Sequence, residues 1–338
     1  MNRGLYKLVW LSTVVIGSLS CAAPVLAEVQ SGKFTSYPVP YASPHGIVYF
    51  GAGPLKGVWI TNSTRDAKSG ALEFSPKVGK TVFHATPTVG AVAGSINFFP
   101  GTEPLWFTET QANKIARIDP KSKKITEYVI PTKNCKPFDI QHGPGGSMWF
   151  TESGAGKIGK IDPAGKITEY KVGAANDAPT SLMEQDGAIW FTEVGSGRIG
   201  RLATSGEVKH FATGSGKLTG DITNSDDGAL WAPTKTSVVR LKTDGTLKEF
   251  PLPNVVDTGA IFGNADGVYI GAMKKDGQGA IISIDGSGQI QEFNLPTKHL
   301  LPAAMAIDPD GGFFMTVRGT KPGQSVSMVW RLQLSSDK

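Results

Sequence analysis

One unit recurs along the chain, and nothing else in the sequence restricts the fold as much. Its clearest copies are Leu105-Trp106-Phe107-Thr108-Glu109 followed by Lys114-Ile115-Ala116-Arg117-Ile118 and Ile125-Thr126-Glu127-Tyr128; then Met148-Trp149-Phe150-Thr151-Glu152 with Lys157-Ile158-Gly159-Lys160-Ile161 and Ile167-Thr168-Glu169-Tyr170; then Ile189-Trp190-Phe191-Thr192-Glu193 with Arg198-Ile199-Gly200-Arg201-Leu202 and Val208-Lys209-His210-Phe211. Fainter copies stand at Val58–Thr61, Leu230–Pro233, Val268–Gly271 and Phe313–Thr316, which puts the aromatic slot at positions 59, 106, 149, 190, 231, 270 and 314. Seven copies spaced 39 to 47 residues apart have the period of a four-stranded propeller blade.

Each copy reads as strands. Within Lys136 to Lys171, an inner strand begins at Pro137-Phe138-Asp139-Ile140, and a turn at His142-Gly143-Pro144-Gly145-Gly146 leads to the Trp strand. The Ser153-Gly154-Ala155-Gly156 and Pro163-Ala164-Gly165 turns separate the remaining two strands. The 42 glycines, about 12% of 338 residues against an average near 7%, belong at such junctions. Seven outer-strand motifs occur, at Phe34–Pro40, Thr81–Pro87, Ile125–Pro131, Ile167–Gly173, Val208–Gly214, Leu247–Pro253 and Ile290–Pro296. The first precedes any Trp-type strand, whereas the last copy ends at Ser327–Leu332 with no outer strand after it. The N-terminal strand is therefore expected to complete the last blade, leaving no open edge. The predicted fold is all-β: one seven-bladed β-propeller of four-stranded antiparallel blades over residues 28–338. A solenoid would instead show polar capping copies at both ends.

Residues 1–27 read as a signal peptide, with Arg3 and Lys7 at its start, an apolar run from Leu8 to Leu19 and Val25-Leu26-Ala27 before the cut. A lipoprotein reading through Cys21 is weaker, because Ser18 stands where that motif wants Leu. The mature chain is expected to be a periplasmic or secreted monomer, with no later apolar run of about 20 residues to cross a membrane. Its Lys and Arg fall from 34 to 32 against 29 acids, so net charge drops from +5 to +3, scattered rather than clustered as nucleic-acid binding requires. Cys135 remains as the single cysteine, which leaves no internal disulfide.

The repeated unit resembles the virginiamycin B lyase (streptogramin lyase) family of seven-bladed propellers, over about residues 34 to 335. That resemblance implies magnesium-dependent opening of cyclic depsipeptides by elimination at the ester. Such chemistry needs a base for the acidic proton, a metal to polarise the carbonyl and an acid for the leaving carboxylate. In the family these groups come from a late blade, as Glu-Pro-His-Gly-Ile and a Glu closing the following strand. Here the motif stands in the first blade as Pro44-His45-Gly46-Ile47, with Ser43 in place of the first Glu and Asn62 in place of the second. The last blade has Pro302-Ala303-Ala304-Met305 and Val317 in those places.

A rearranged site at the channel mouth is the corresponding expectation. His45 and Glu109 would act as catalytic groups, and Glu152, Glu193 and Asn62 would hold Mg2+ or Ca2+. The ligand would be a small-molecule or peptide-like compound at the channel mouth. The alternative for the three glutamates is a recurring scaffold element. At the level of function, a non-catalytic propeller binding a peptide, glycan or protein through residues such as Phe138 or Tyr41, and a lactonase-type hydrolase, stand beside the lyase. Trp59, Trp106, Trp149, Trp190 and Trp231 read as packing, His142 as a turn residue, and His84, His210 and His299 as lying on or beside outer strands. Asp119, Asp162, Asp244, Asp285 and Asp310 read as turn residues. No nucleophile elbow, zinc-protease helix, phosphate loop or dinucleotide fingerprint occurs.

Overall fold

The computed structural model describes residues 32–334, apart from 40–43, 52–55, 66–67, 78, 102–103, 120, 215–216, 264–266, 322–323, 325 and 327. The signal-peptide segment, Tyr41 and Ser43 lie outside the described residues. Seven four-stranded antiparallel sheets succeed one another, each in simple sequential order except the last. Blade 3 is representative: inner strand Pro137–Gly143, second strand Ser147–Glu152, third strand Lys157–Ile161 and outer strand Ile167–Lys171. Among the described residues the only helical element is one 3-10 turn at Ala175–Asp177.

Every letter of the repeat has a packing role. Trp149 stacks on Tyr170 of the outer strand at 5.5 Å, with the Lys160 ammonium 5.4 Å from its ring centre. The same sandwich recurs as Trp106 with Tyr128 and Arg117, Trp190 with Phe211 and Arg201, and Trp231 with Phe250 and Arg240. Phe150 and Phe191 lie across Gly159 and Gly200, where a Cβ would come within 2.1 Å of the ring. This close approach explains the Gly between the two basic residues.

The Thr stitches neighbouring blades. Thr151 Oγ1 accepts from the Asp139 amide of its own inner strand at 3.0 Å and donates to the Thr180 carbonyl of blade 4 at 3.0 Å. Thr61, Thr108 and Thr192 donate in the same way to Gly94, Phe138 and Gly220. Thr316 of the last blade donates to the His45 carbonyl of the first at 2.8 Å, so the stitching joins five of the seven blade junctions, Pro233 and Gly271 taking the Thr place in blades 5 and 6.

Closure follows the sequence expectation. Lys33–Pro38 pairs antiparallel with Met328–Gln333, setting Phe34 opposite Leu332 and Tyr37 opposite Val329. Two sequence readings are corrected. In blade 6 the register puts Tyr269, not Ile270, in the aromatic slot, because Ile270 lies opposite Ile261 as Phe150 lies opposite Ile140. His142 lies in the inner strand of blade 3 rather than in the turn, opposite Met148 and edge-on to Phe99. The turn readings for the aspartates are illustrated by Asp162, which accepts from the Ala164 and Lys166 amides, and Asp285, which accepts from three amides.

Candidate functional site

The three repeated glutamates are fully buried, and each is engaged by its own blade. Glu109 faces Lys114 of the third strand and Glu127 of the outer strand, and Lys114 is ion-paired to Glu127. Burial, followed by the Glu127 charge, pushes the Glu109 carboxyl up to about 8. Neither of its oxygens has a partner unless it carries a proton, which it then donates to Glu127. Glu152 repeats this with Lys157, Glu169 and the buried Cys135, and is likewise raised to about 8 by burial and by Glu169. Burial also pushes the Cys135 thiol up, which makes it inert.

In blade 4 His210 stands where Glu127 and Glu169 stand. Glu193 there accepts from Arg198 Nε at 2.9 Å and lies 3.3 Å from His210 Nε2. Asn62 donates to the Lys68 carbonyl at 2.6 Å. His45 is turned elsewhere: its ring meets Phe138 of blade 3 edge-on at 5.8 Å, and the charge facing it is Asp139. The structure thus does not bring His45 together with Glu109, Glu152, Glu193 or Asn62. Among the described residues no three His, Cys, Asp or Glu side chains form a group that could hold a metal ion. A divalent cation does not fit the expected donor set, because its members sit in separate blades, Lys114, Lys157 and Arg198 already face Glu109, Glu152 and Glu193, and the Asn62 amide is committed to its own loop.

A different constellation lines the central channel. The inner strands enter it through the same bulge, seen as the register shift after Pro44, Ala93, Pro137 and Pro179. The residue two positions beyond lines the cavity: Gly46, Ser95, Asp139 and Ser181 in blades 1 to 4, and Asp221, Ala260 and Ala304 in blades 5 to 7. This ring opens one end of a central cavity of about 340 Å3, which continues past Met183, Phe262, Met305 and Ile307.

Asp139 is the hub of the ring. Its Oδ1 accepts from Ser95 Oγ at 2.6 Å and the Ile140 amide at 2.8 Å, and its Oδ2 accepts from Ser181 Oγ at 2.9 Å and the Leu182 amide at 3.0 Å. Asp221 takes one long bond from the Ile261 amide at 3.3 Å. Burial, with the Asp139 charge second, pushes its carboxyl up to about 7. His45 keeps an exposed edge by surface area, yet protein walls it on the other sides, and this desolvation lowers its pKa against the pull of Asp139.

The model of the virginiamycin B lyase family matches residues 26–213 and 180–326, nearly the whole described ring. The chain belongs to the virginiamycin B lyase family. Among solved structures, a streptogramin B lyase is 25% identical with a TM-score of 0.76, over 90% of this chain and 98% of that one. A catalytically inactive histidine-to-alanine variant of virginiamycin B lyase from Staphylococcus aureus, solved with quinupristin, is 28% identical with a TM-score of 0.78, over 90% of this chain and all of that one. YCF48 bound to a D1 peptide shares the fold at 13% identity and a TM-score of 0.67, over 94% of this chain and 99% of that one. No curated protein matches the sequence.

Asp139 and Asp221 were missed by a reading drawn to recurring letters. The signal was present, since lining up the seven inner-strand starts isolates one slot occupied by Gly, Ser, Asp, Ser, Asp, Ala and Ala.

Proposed function

We propose that this chain is an exported, ligand-binding propeller of the virginiamycin B lyase family, which takes a small ligand into its central cavity and does not use the repeated glutamates for chemistry. The observation that carries this reading is that the residues breaking the repeat gather on the cavity wall, whereas the residues making the repeat are consumed by packing. A cavity of about 340 Å3 lies within the usual range for small-molecule sites, roughly 300 to 1,000 Å3. The quinupristin in the structure of the Staphylococcus aureus relative supports the expectation that members of this family engage a ligand.

One observation favours a second reading, in which the channel mouth performs acid–base chemistry on an ester. His45, lowered by burial, is in its base form near neutrality, and Asp221, raised to about 7, retains a proton it can give. These two would supply base and acid, with no step assigned to a metal.

Ligand-detected NMR with a fragment library on the full mature chain separates the outcomes. Hits are expected to vanish in Ala304→Phe, which fills the cavity from blade 7; hits that all survive that change would overturn cavity binding. Quinupristin incubated with the protein and magnesium is expected to stay closed by mass spectrometry. Opening that disappears in His45→Ala would establish the second reading instead.

A further inference from the structure

We propose that the central cavity recognises a compact ligand bearing a primary ammonium on an apolar body, with the ammonium seated between Asp139 and Asp221. The inference rests on the cavity-binding reading above and names its ligand class.

The two carboxyls are prepared differently. Asp139 is fixed by four donors from blades 2, 3 and 4, so its position and charge belong to the wall. Asp221, two blades further around the channel, has only the long bond from Ile261 to hold it and is short of donors. A carboxylate accepts up to about four hydrogen bonds, so Asp221 has capacity for an incoming N–H. The described lining residues include neither Lys nor Arg. Among the described residues, the charged and titratable groups facing this region are Asp139, Asp221, the Tyr49 phenol and, toward Asp139, His45. An enclosed pair of acids without an internal cation is costly and is relieved by a cation from outside.

The remainder of the lining selects the kind of cation. A calcium ion needs about six to eight oxygen ligands, and magnesium about six in near-octahedral array. Here the other ring members include Gly46, Ala260 and Ala304, which offer no side-chain oxygen, and both Ser95 and Ser181 hydroxyls already donate to Asp139. An ammonium has three N–H groups and needs only a few acceptors. Beyond the ring, Met183, Phe262, Met305 and Ile307 give the wall an apolar side for an aliphatic or aromatic body, while Asn97, Gln141 and Thr223 on the same wall have their side-chain oxygens engaged by Phe98, Asn97 and Gly263. Seating an ammonium beside Asp221 favours its ionised form, so binding near neutral pH expels the proton that burial and Asp139 retain there.

The test is isothermal titration calorimetry of the full mature chain with benzylamine and with benzyl alcohol, each in two pH 7 buffers of different ionisation enthalpy. Benzylamine is expected to bind about tenfold or more tightly than the alcohol, as a charge-assisted bond implies, and to release protons. In Asp221→Asn the preference and the proton release should both disappear. Ala304→Phe, which leaves both acids in place, should abolish binding of both probes, and circular dichroism confirms that each variant folds. Equal affinity for the two probes, or full preference in Asp221→Asn, would overturn the ammonium assignment. If both probes bind equally and are lost in Ala304→Phe, the ammonium assignment fails while the cavity reading stands. Binding untouched by Ala304→Phe overturns both.

Discussion

Thr151 shows how much a single side chain of this repeat does. Its hydroxyl serves both the Asp139 amide behind it and the Thr180 carbonyl of the next blade, in a position with no solvent exposure. Thr151→Val keeps the shape and strands both groups, so it should cost about 1 to 3 kcal/mol in urea denaturation, and Thr151→Ser should recover most of that. The same amide belongs to Asp139, so Thr151→Val should also weaken binding at the cavity. The scaffold residues are legible in the sequence because they recur. Asp139 and Asp221 are harder to see because each appears once per blade slot among Gly, Ser and Ala. What gives them meaning is a bulge that turns that slot into the channel, and no single copy of the motif reveals it.

At the scale of the strand, the second-strand glutamates form proton-sharing pairs with the outer strands. Burial works against the outer partners, yet hydrogen bonds from Lys114 and Thr88 hold Glu127 below its ordinary value, and Thr132 and Glu152 hold Glu169 below its own. At neutral pH the folded chain therefore keeps a proton on Glu109 and on Glu152 that the unfolded chain has lost. Where the folded state binds more protons, stability falls as pH rises. The window runs from the ordinary 4.5 to about 8, and the slope is at most about 1.4 kcal/mol per pH unit for each pair. Chemical denaturation at pH 5, 6, 7 and 8 should show that decline, and the double variant Glu109→Gln, Glu152→Gln, whose amides donate without titrating, should flatten it. A slope unchanged in the double variant would contradict the shared proton. Blade 4 replaces this arrangement with Arg198 and His210 around Glu193, so identical Thr-Glu letters carry different chemistry in neighbouring blades. The place of the second strand was legible wherever the aromatic anchor is a Trp, although in blade 3 the inner strand runs on through His142. In blade 6, where Tyr replaces it and the inner strand carries two register shifts, the sequence reading slips by one residue.

Taken whole, the molecule is a ring whose last blade borrows its outer strand from the N-terminus. Deleting residues 33–38 would expose the Met328–Gln333 edge and open Trp330, which meets Phe34 edge-on at 6.3 Å. Loss of that strand should lower the melting temperature by on the order of 10 °C and cause edge-to-edge association detectable by light scattering. Complementary halves at the two ends made this closure readable from the sequence, whereas the contents of the channel depend on seven strands meeting at once. The central claim is that function resides in this channel and not in the repeated glutamates. Its most direct test is a benzylamine titration followed through 13C-methyl methionine resonances. Met183 and Met305, on the cavity wall, should shift with saturation while Met148, packed in the core of blade 3, stays fixed. Saturable binding that leaves Met183 and Met305 unmoved, or no binding at all, would contradict the account.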